Sequence, residues 1–172
     1  NHFVPVEYKS QPHSLLQFEE GKEVLKRYFD TYKSQFSSAP FALEQPFRIS
    51  VGETTLIGRI DRIDKHSSSW EIVDYKTGTT KYQKQVDKDD QLTIYALAAQ
   101  SLYGELPETL SLYFVNDTKK IITSRSGKQV EAIKAEIEET IARIREGKFE
   151  AKPGFGCNYC PYSQICPFTK KV

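Results

Sequence analysis

The sequence predicts a mixed α/β fold, a central β-sheet of about five strands flanked by helices, and three observations carry that expectation. Period-two alternation recurs over residues 47–51 and 54–64, with a third strand-like run at 70–75, and the connections are short enough for a meander. The third run holds Ile72 and Val73 side by side, the pattern of a strand covered on both faces. Helical periodicity then separates these strands from two more, at 111–115 and 120–123.

Taken in order, residues 1–14 lack a clear period and read as an arm or a cut connection. From Leu15 the pattern turns helical, with Leu25, Tyr28, Phe29, Tyr32 and Phe36 on one stripe until Ser37-Ser38-Ala39-Pro40 ends it. Phe47, Ile49 and Val51 alternate, Gly52-Glu53 supplies a tight turn, and residues 54–64 return as the second arm of a hairpin. Residues 77–90 are rich in Lys, Gln, Thr and Asp without an apolar period, so a mobile loop is expected. Asp89 or Asp90 can cap the next helix, whose stripe is Leu92, Tyr95, Ala96, Ala99 and Leu102 and whose stop is Gly104. Residues 127–147 read as a long charged helix burying Val130, Ile133, Ile137, Ile141 and Ile144. Residues 15–147 thus form the expected core, and 148–172 a cysteine-containing tail packing on it.

Composition narrows the function classes. The chain has 172 residues, 38% of them apolar and 27% charged, which suits one soluble globular domain. No apolar run is long enough to span a membrane. With 24 Lys and Arg against 23 Asp and Glu, bulk basicity cannot supply nucleic-acid affinity, and a local basic groove would have to. There is no Met, the first residue is Asn1, and all three cysteines fall in the tail. These features suggest an excised piece of a longer protein, and they argue against a disulfide framework. A cytoplasmic location is expected.

The chemistry concentrates in Gly58-Arg59-Ile60-Asp61-Arg62-Ile63-Asp64 and Asp74-Tyr75-Lys76. Alternation puts Asp74 and Lys76 on one face of a strand, with Tyr75 on the other. Asp61, on the neighbouring antiparallel strand, can lie beside Asp74, whereas Asp64 faces away by parity. Two carboxylates at one sheet margin suit Mg²⁺ or Mn²⁺, which take such ligands together with waters. Lys76 would orient or help deprotonate a water and offset developing charge. An ordinary ion pair on a solvated strand would use the same residues.

These segments, followed by Gln91-Leu92-Thr93-Ile94-Tyr95, resemble the RecB-type branch of the PD-(D/E)XK nuclease superfamily. The likeness runs in order from about Glu44 to the C-terminus and implies a restriction-endonuclease-like core. It implies that Asp61 and Asp74 bind the divalent metal, with the Tyr75 backbone carbonyl a further ligand, and that Lys76 assists the attacking water. Gln91 and Tyr95, at i and i+4, would contact DNA or support the site, packing being the other role open to Tyr95. Glu44 falls at a recurrent acidic position of the family. The implied activity is a DNA nuclease, exo- or endonucleolytic, in a helicase-nuclease of recombination or repair. Its helicase would lie in the same chain or a partner subunit. Lys76, Lys81, Lys84 and Lys88 would serve as phosphate contacts. A non-catalytic DNA-end-binding or structural module of the same fold is the competing expectation.

The tail reads Cys157-x₂-Cys160-x₅-Cys166, with Pro161 and Pro167 after the last two cysteines. Such spacing suits zinc or iron-sulfur ligation. It resembles the AddB-like nucleases, in which three clustered cysteines and one far upstream hold a four-iron, four-sulfur (4Fe-4S) cluster. No cysteine precedes Cys157, and neither His2 nor His13 reproduces the family's early metal-binding histidine. The expectation is therefore an N-terminally truncated domain, weakly active or inert by itself.

Overall fold

In the computed structural model, residues 9–35, 39–66 and 69–168 are described. They divide into two compact units, Asn1–Ala135 and Glu136–Val172. The first holds a five-stranded sheet ordered β1 (Ala42–Val51), β2 (Thr54–His66), β3 (Ser69–Lys76), β4 (Thr109–Phe114), β5 (Lys119–Thr123). Neighbours are antiparallel except β3 and β4, which run parallel. That parallel step needs a crossover, and α3 (Asp90–Tyr103) provides it.

The central position expected for the third strand is realised. Ile72 and Val73 are both buried, as a strand between two others and beneath a helix requires. One core joins Ile60, Ile63 and Ile72 to Leu92, Ala96, Ala99, Leu112 and Val130. In the β1–β2 turn Gly52 takes φ 56°, open to glycine at little cost. Gly58 has a different reason. A Cβ there would stand 2.3 Å from the Phe47 ring, which lies against the bare backbone and meets Tyr95 edge-on at 6.2 Å.

Four expectations change. The helix α1 (Gln11–Tyr32) starts before Leu15, because Ser10 caps it by accepting from the His13 amide and Pro12 stands in its first turn. Its buried stripe is narrower than periodicity implied, since Leu25 is 69% exposed and Phe29 is exposed too. The helix meets the sheet through Tyr28 and Tyr32 instead, in edge contacts with Tyr113 at 5.3 and 5.5 Å. Phe36 lies outside the described residues. Second, the expected loop at 77–90 contains a one-turn helix, α2 (Gln83–Val86), too short to show a period and anchored by fully buried Val86. Third, α4 (Gly127–Arg145) buries Val130 and Ile133, whereas Ile137 and Ile141 are half-buried and Ile144 is 54% exposed. Leu102, at the end of α3, is also exposed, while Ala98 is fully buried there.

Candidate active site

The site is built on the end of β3. Asp74 is 1% exposed, enclosed by core on one side and by the first turns of α3 on the other. Asp89 caps α3 by accepting from the Leu92 amide at 3.2 Å, which fixes where the helix begins and hence where Gln91 stands. Gln91 Nε2 donates to Asp74 Oδ1 at 3.0 Å and to the Tyr95 hydroxyl at 2.7 Å. The Tyr95 hydroxyl donates to the same carboxylate oxygen at 3.3 Å. On its other side Gln91 Oε1 accepts from Lys76 Nζ at 2.7 Å, so one amide spans carboxylate and ammonium.

The second carboxylate oxygen is left for a cation. Asp74 Oδ2 is buried without a donor in hydrogen-bonding geometry and faces the Lys76 ammonium at 2.5 Å. Burial pushes the Asp74 carboxyl above the usual carboxylate range, the Lys76 charge pulls it back, and neighbouring Asp61 raises it again. Asp61 Oδ2 accepts from the Tyr75 amide at 2.9 Å, which pins it to the margin where Asp74 stands. Tyr95 is pushed up to about 12, chiefly by burial, so its hydroxyl keeps its proton near neutrality.

Asp61, Asp74, Lys76, Gln91 and Tyr95 therefore meet in one place. Asp64 is on the opposite face, paired with Arg62 at 2.8 Å. Glu44 is remote from the cluster's hydrogen bonds, exposed beside Arg59 at 3.6 Å, and takes φ 49°. Among the expected phosphate-contact lysines, Lys81 is tied to Asp89 at 2.7 Å, while Lys84 and Lys88 are exposed. His13 lies in α1, and His2 lies outside the described residues.

A divalent metal fits this donor set. Among the described residues no three His, Cys, Asp or Glu side chains are arranged to hold an ion. A hard cation that keeps several waters needs only one or two carboxylates, and Asp74 Oδ2 is a buried oxygen already facing positive charge.

Two supports had no signature in the sequence. Tyr75, whose amide holds Asp61, is itself gripped from behind: its hydroxyl hydrogen-bonds the Tyr28 hydroxyl at 2.8 Å and accepts from Arg62 at 3.2 Å. Arg125 is buried between β5 and α4 and donates to Thr93 Oγ1 and to the carbonyls of Val86 and Asp89. It ties α2 to the first turn of α3, just where Gln91 projects. Burial holds its pKa below the ordinary arginine value, against the pull of Asp89, Asp87 and Asp90.

The cysteines are a different case. Cys157, Cys160 and Cys166 are half-buried, and the metal centre expected of them is not assembled among the described residues. Cys157 sits in a 3₁₀ turn, Phe155–Tyr159, which Cys160 leaves, and Cys166 follows a separate turn through Tyr162.

A mixed sheet whose central strand ends in a buried Asp-x-Lys beside a second carboxylate defines a class of nuclease. The family model of the PD-(D/E)XK nuclease superfamily matches residues 4–167, and the chain belongs to that superfamily. Among solved structures the fold is similar to that of SSO0001, with a TM-score of 0.50 and 20% identity over 86% of this chain and 68% of that one. No curated protein matches it. Among the described residues no helix is long and apolar enough to cross a membrane.

Proposed function

We propose that this chain is a Mg²⁺- or Mn²⁺-dependent deoxyribonuclease domain of RecB type, working with a helicase in cytoplasmic DNA recombination or repair. The observation that carries the reading is Asp74 Oδ2, a buried carboxylate oxygen facing the Lys76 ammonium, with Asp61 pinned at the same margin. Asp61, Asp74 and the Tyr75 carbonyl would hold the metal. When bound, it would neutralise phosphate charge and lower the pKa of a water. Lys76 holds a water oxygen in line with the phosphorus and stabilises the charge that develops there. Water oxygen bonds to phosphorus as the bond to the leaving oxygen breaks, and that oxygen takes up a proton. Gln91 keeps Lys76 and Asp74 in mutual register, and Tyr95 remains a neutral donor.

The test is cleavage of linear single- and double-stranded DNA with Mg²⁺ or Mn²⁺. Wild type is expected to cut, and Asp74→Ala and Lys76→Ala to lose cutting. Equal cutting by the variants would sink the site assignment. DNA binding without cleavage under all metals would favour a non-catalytic end-binding module.

The tail belongs to the same proposal. The Cys157, Cys160 and Cys166 spacing supports three of four ligands to a 4Fe-4S cluster, the fourth coming from outside this sequence. Anaerobic purification of a longer polypeptide carrying that ligand should give brown protein. Colourless protein with stoichiometric zinc would replace iron by zinc, and metal-free protein would end the assignment.

A further inference from the structure

Beside the catalytic margin lies a second surface with its own chemistry. The segment after Lys76 is tethered to the β4–β5 turn. The Lys76 carbonyl accepts from the Val115 amide at 3.0 Å, the Thr77 carbonyl accepts from Asn116 Nδ2 at 2.6 Å, and Thr80 hydrogen-bonds Asp117. Gln83 then donates to the Ile122 carbonyl of edge strand β5 at 2.8 Å. These ties open a groove of about 510 Å³ along β5, whose lining includes Lys81, Tyr82, Lys119, Lys120 and Ile122 and no carboxylate. Tyr82 stands over it 82% exposed, although an aromatic ring gains most by burial.

The groove begins at the catalytic margin. Lys76 pairs with Phe114 and Phe114 with Lys119, so the two lysines share one row and one face of the sheet, two strands apart. At ordinary strand spacing that is roughly 10 Å. Lys119 and Lys81 offer positive charge to a phosphate backbone, Lys81 while paired with Asp89, whereas Lys120 is engaged by Glu71. An exposed ring suits an unstacked base, because every base has a π-face. Duplex DNA offers the phosphates but keeps its bases stacked.

The geometry points to this groove as a binding track for single-stranded DNA, one base stacking on Tyr82 and the adjoining phosphates meeting Lys119 and Lys81. The inference rests on the nuclease reading for its polynucleotide, and it adds the strand form and the residues that take it. Lys81 reaches the track while tied to Asp89, and Lys119 is the more exposed of the two.

The test is fluorescence anisotropy with a labelled oligothymidylate and a labelled duplex, in EDTA so that nothing is cut. Tyr82→Ala should weaken the single strand by about tenfold, the scale of one base–aromatic stack, and Tyr82→Phe should restore it to within about twofold. Lys119→Gln should weaken it and lower the slope of log affinity against log salt. Circular dichroism of each variant checks the fold. Wild-type affinity in Tyr82→Ala, equal losses for strand and duplex, or no single-strand binding by wild type would each overturn the proposal. Cleavage with Mg²⁺ keeps the two readings apart. Lys76-dependent cutting with a Tyr82-indifferent affinity removes the track alone. Tyr82-dependent binding without any cutting removes the nuclease and leaves the track.

Discussion

The sheet margin and the cysteine tail both gather ligand-type residues at short spacing, yet only the margin comes assembled. At the margin each functional group is held by something else that folding already requires. The Tyr75 amide orients Asp61, α3 brings Gln91 over Asp74, and the carboxylate is sealed by core. In the tail the large apolar side chains that could clamp the thiols face outward, Phe155 at 78% and Ile165 at 79% exposed. Regular structure organises a polar site at no separate cost, whereas an irregular segment needs the ligand itself to set its geometry.

If that contrast is right, the largest effect is on catalysis. Lys76→Ala should reduce metal-dependent cleavage by roughly 10²–10⁴-fold while leaving the fold intact, read by initial rates together with circular dichroism. Next comes Arg125→Met, which removes the buried hydrogen bonds that tie α2 to the start of α3. It should cost about 1.5–3 kcal/mol by urea denaturation, the scale of hydrogen bonds lost to a charged donor. Gly58→Ala forces the Phe47 ring off the strand and should cost about 1–3 kcal/mol, and loss of Tyr95 support should lower cleavage with it.

A smaller effect is pH-dependent. Asp74 has its carboxyl pKa raised by folding, so the folded metal-free protein holds that proton more tightly than the unfolded chain does. The stability from this group is complete below the unfolded value of 3.8 and is lost as pH climbs through the raised native one. Asp74→Asn should therefore gain on wild type in melting temperature as pH rises over that window, and the gain should shrink when Mg²⁺ stabilises the wild-type carboxylate. A flat difference across pH would mean that Asp74 is not strained. The smallest effect belongs to the tail. Cys157→Ser should shift metal-free stability by less than about 0.5 kcal/mol, as for an uncoupled surface site. A loss as large as that of Gly58→Ala would show the tail to be as organised as the margin.

Much of the margin was legible because strand geometry is short-ranged. Alternation alone put Asp74 and Lys76 together and sent Tyr75 and Asp64 to the other face, and the pair Asp89-Asp90 marked the start of α3, which Asp89 caps. Arg125 was not legible, since a lone arginine between two serines carries no period and gains its role from elements distant in sequence. The same holds for Tyr28 behind Tyr75, and for Val86, whose burial makes a helix of a stretch that reads as loop. In α1 the apolar stripe misled because the helix sets Tyr28 and Tyr32 against the sheet and leaves Leu25 and Phe29 exposed.

By itself, then, the sequence determined the order of the elements other than α2, the central strand and the pairing of an acid with a lysine on one face, all consequences of backbone periodicity within a few residues. Tertiary structure alone decided that Gln91 bridges Asp74 to Lys76, that Arg125 secures the helix carrying it, and that Lys119 shares a row with Lys76. Those relations join residues far apart in the chain, and only the packing of helix on sheet brings them within hydrogen-bonding reach.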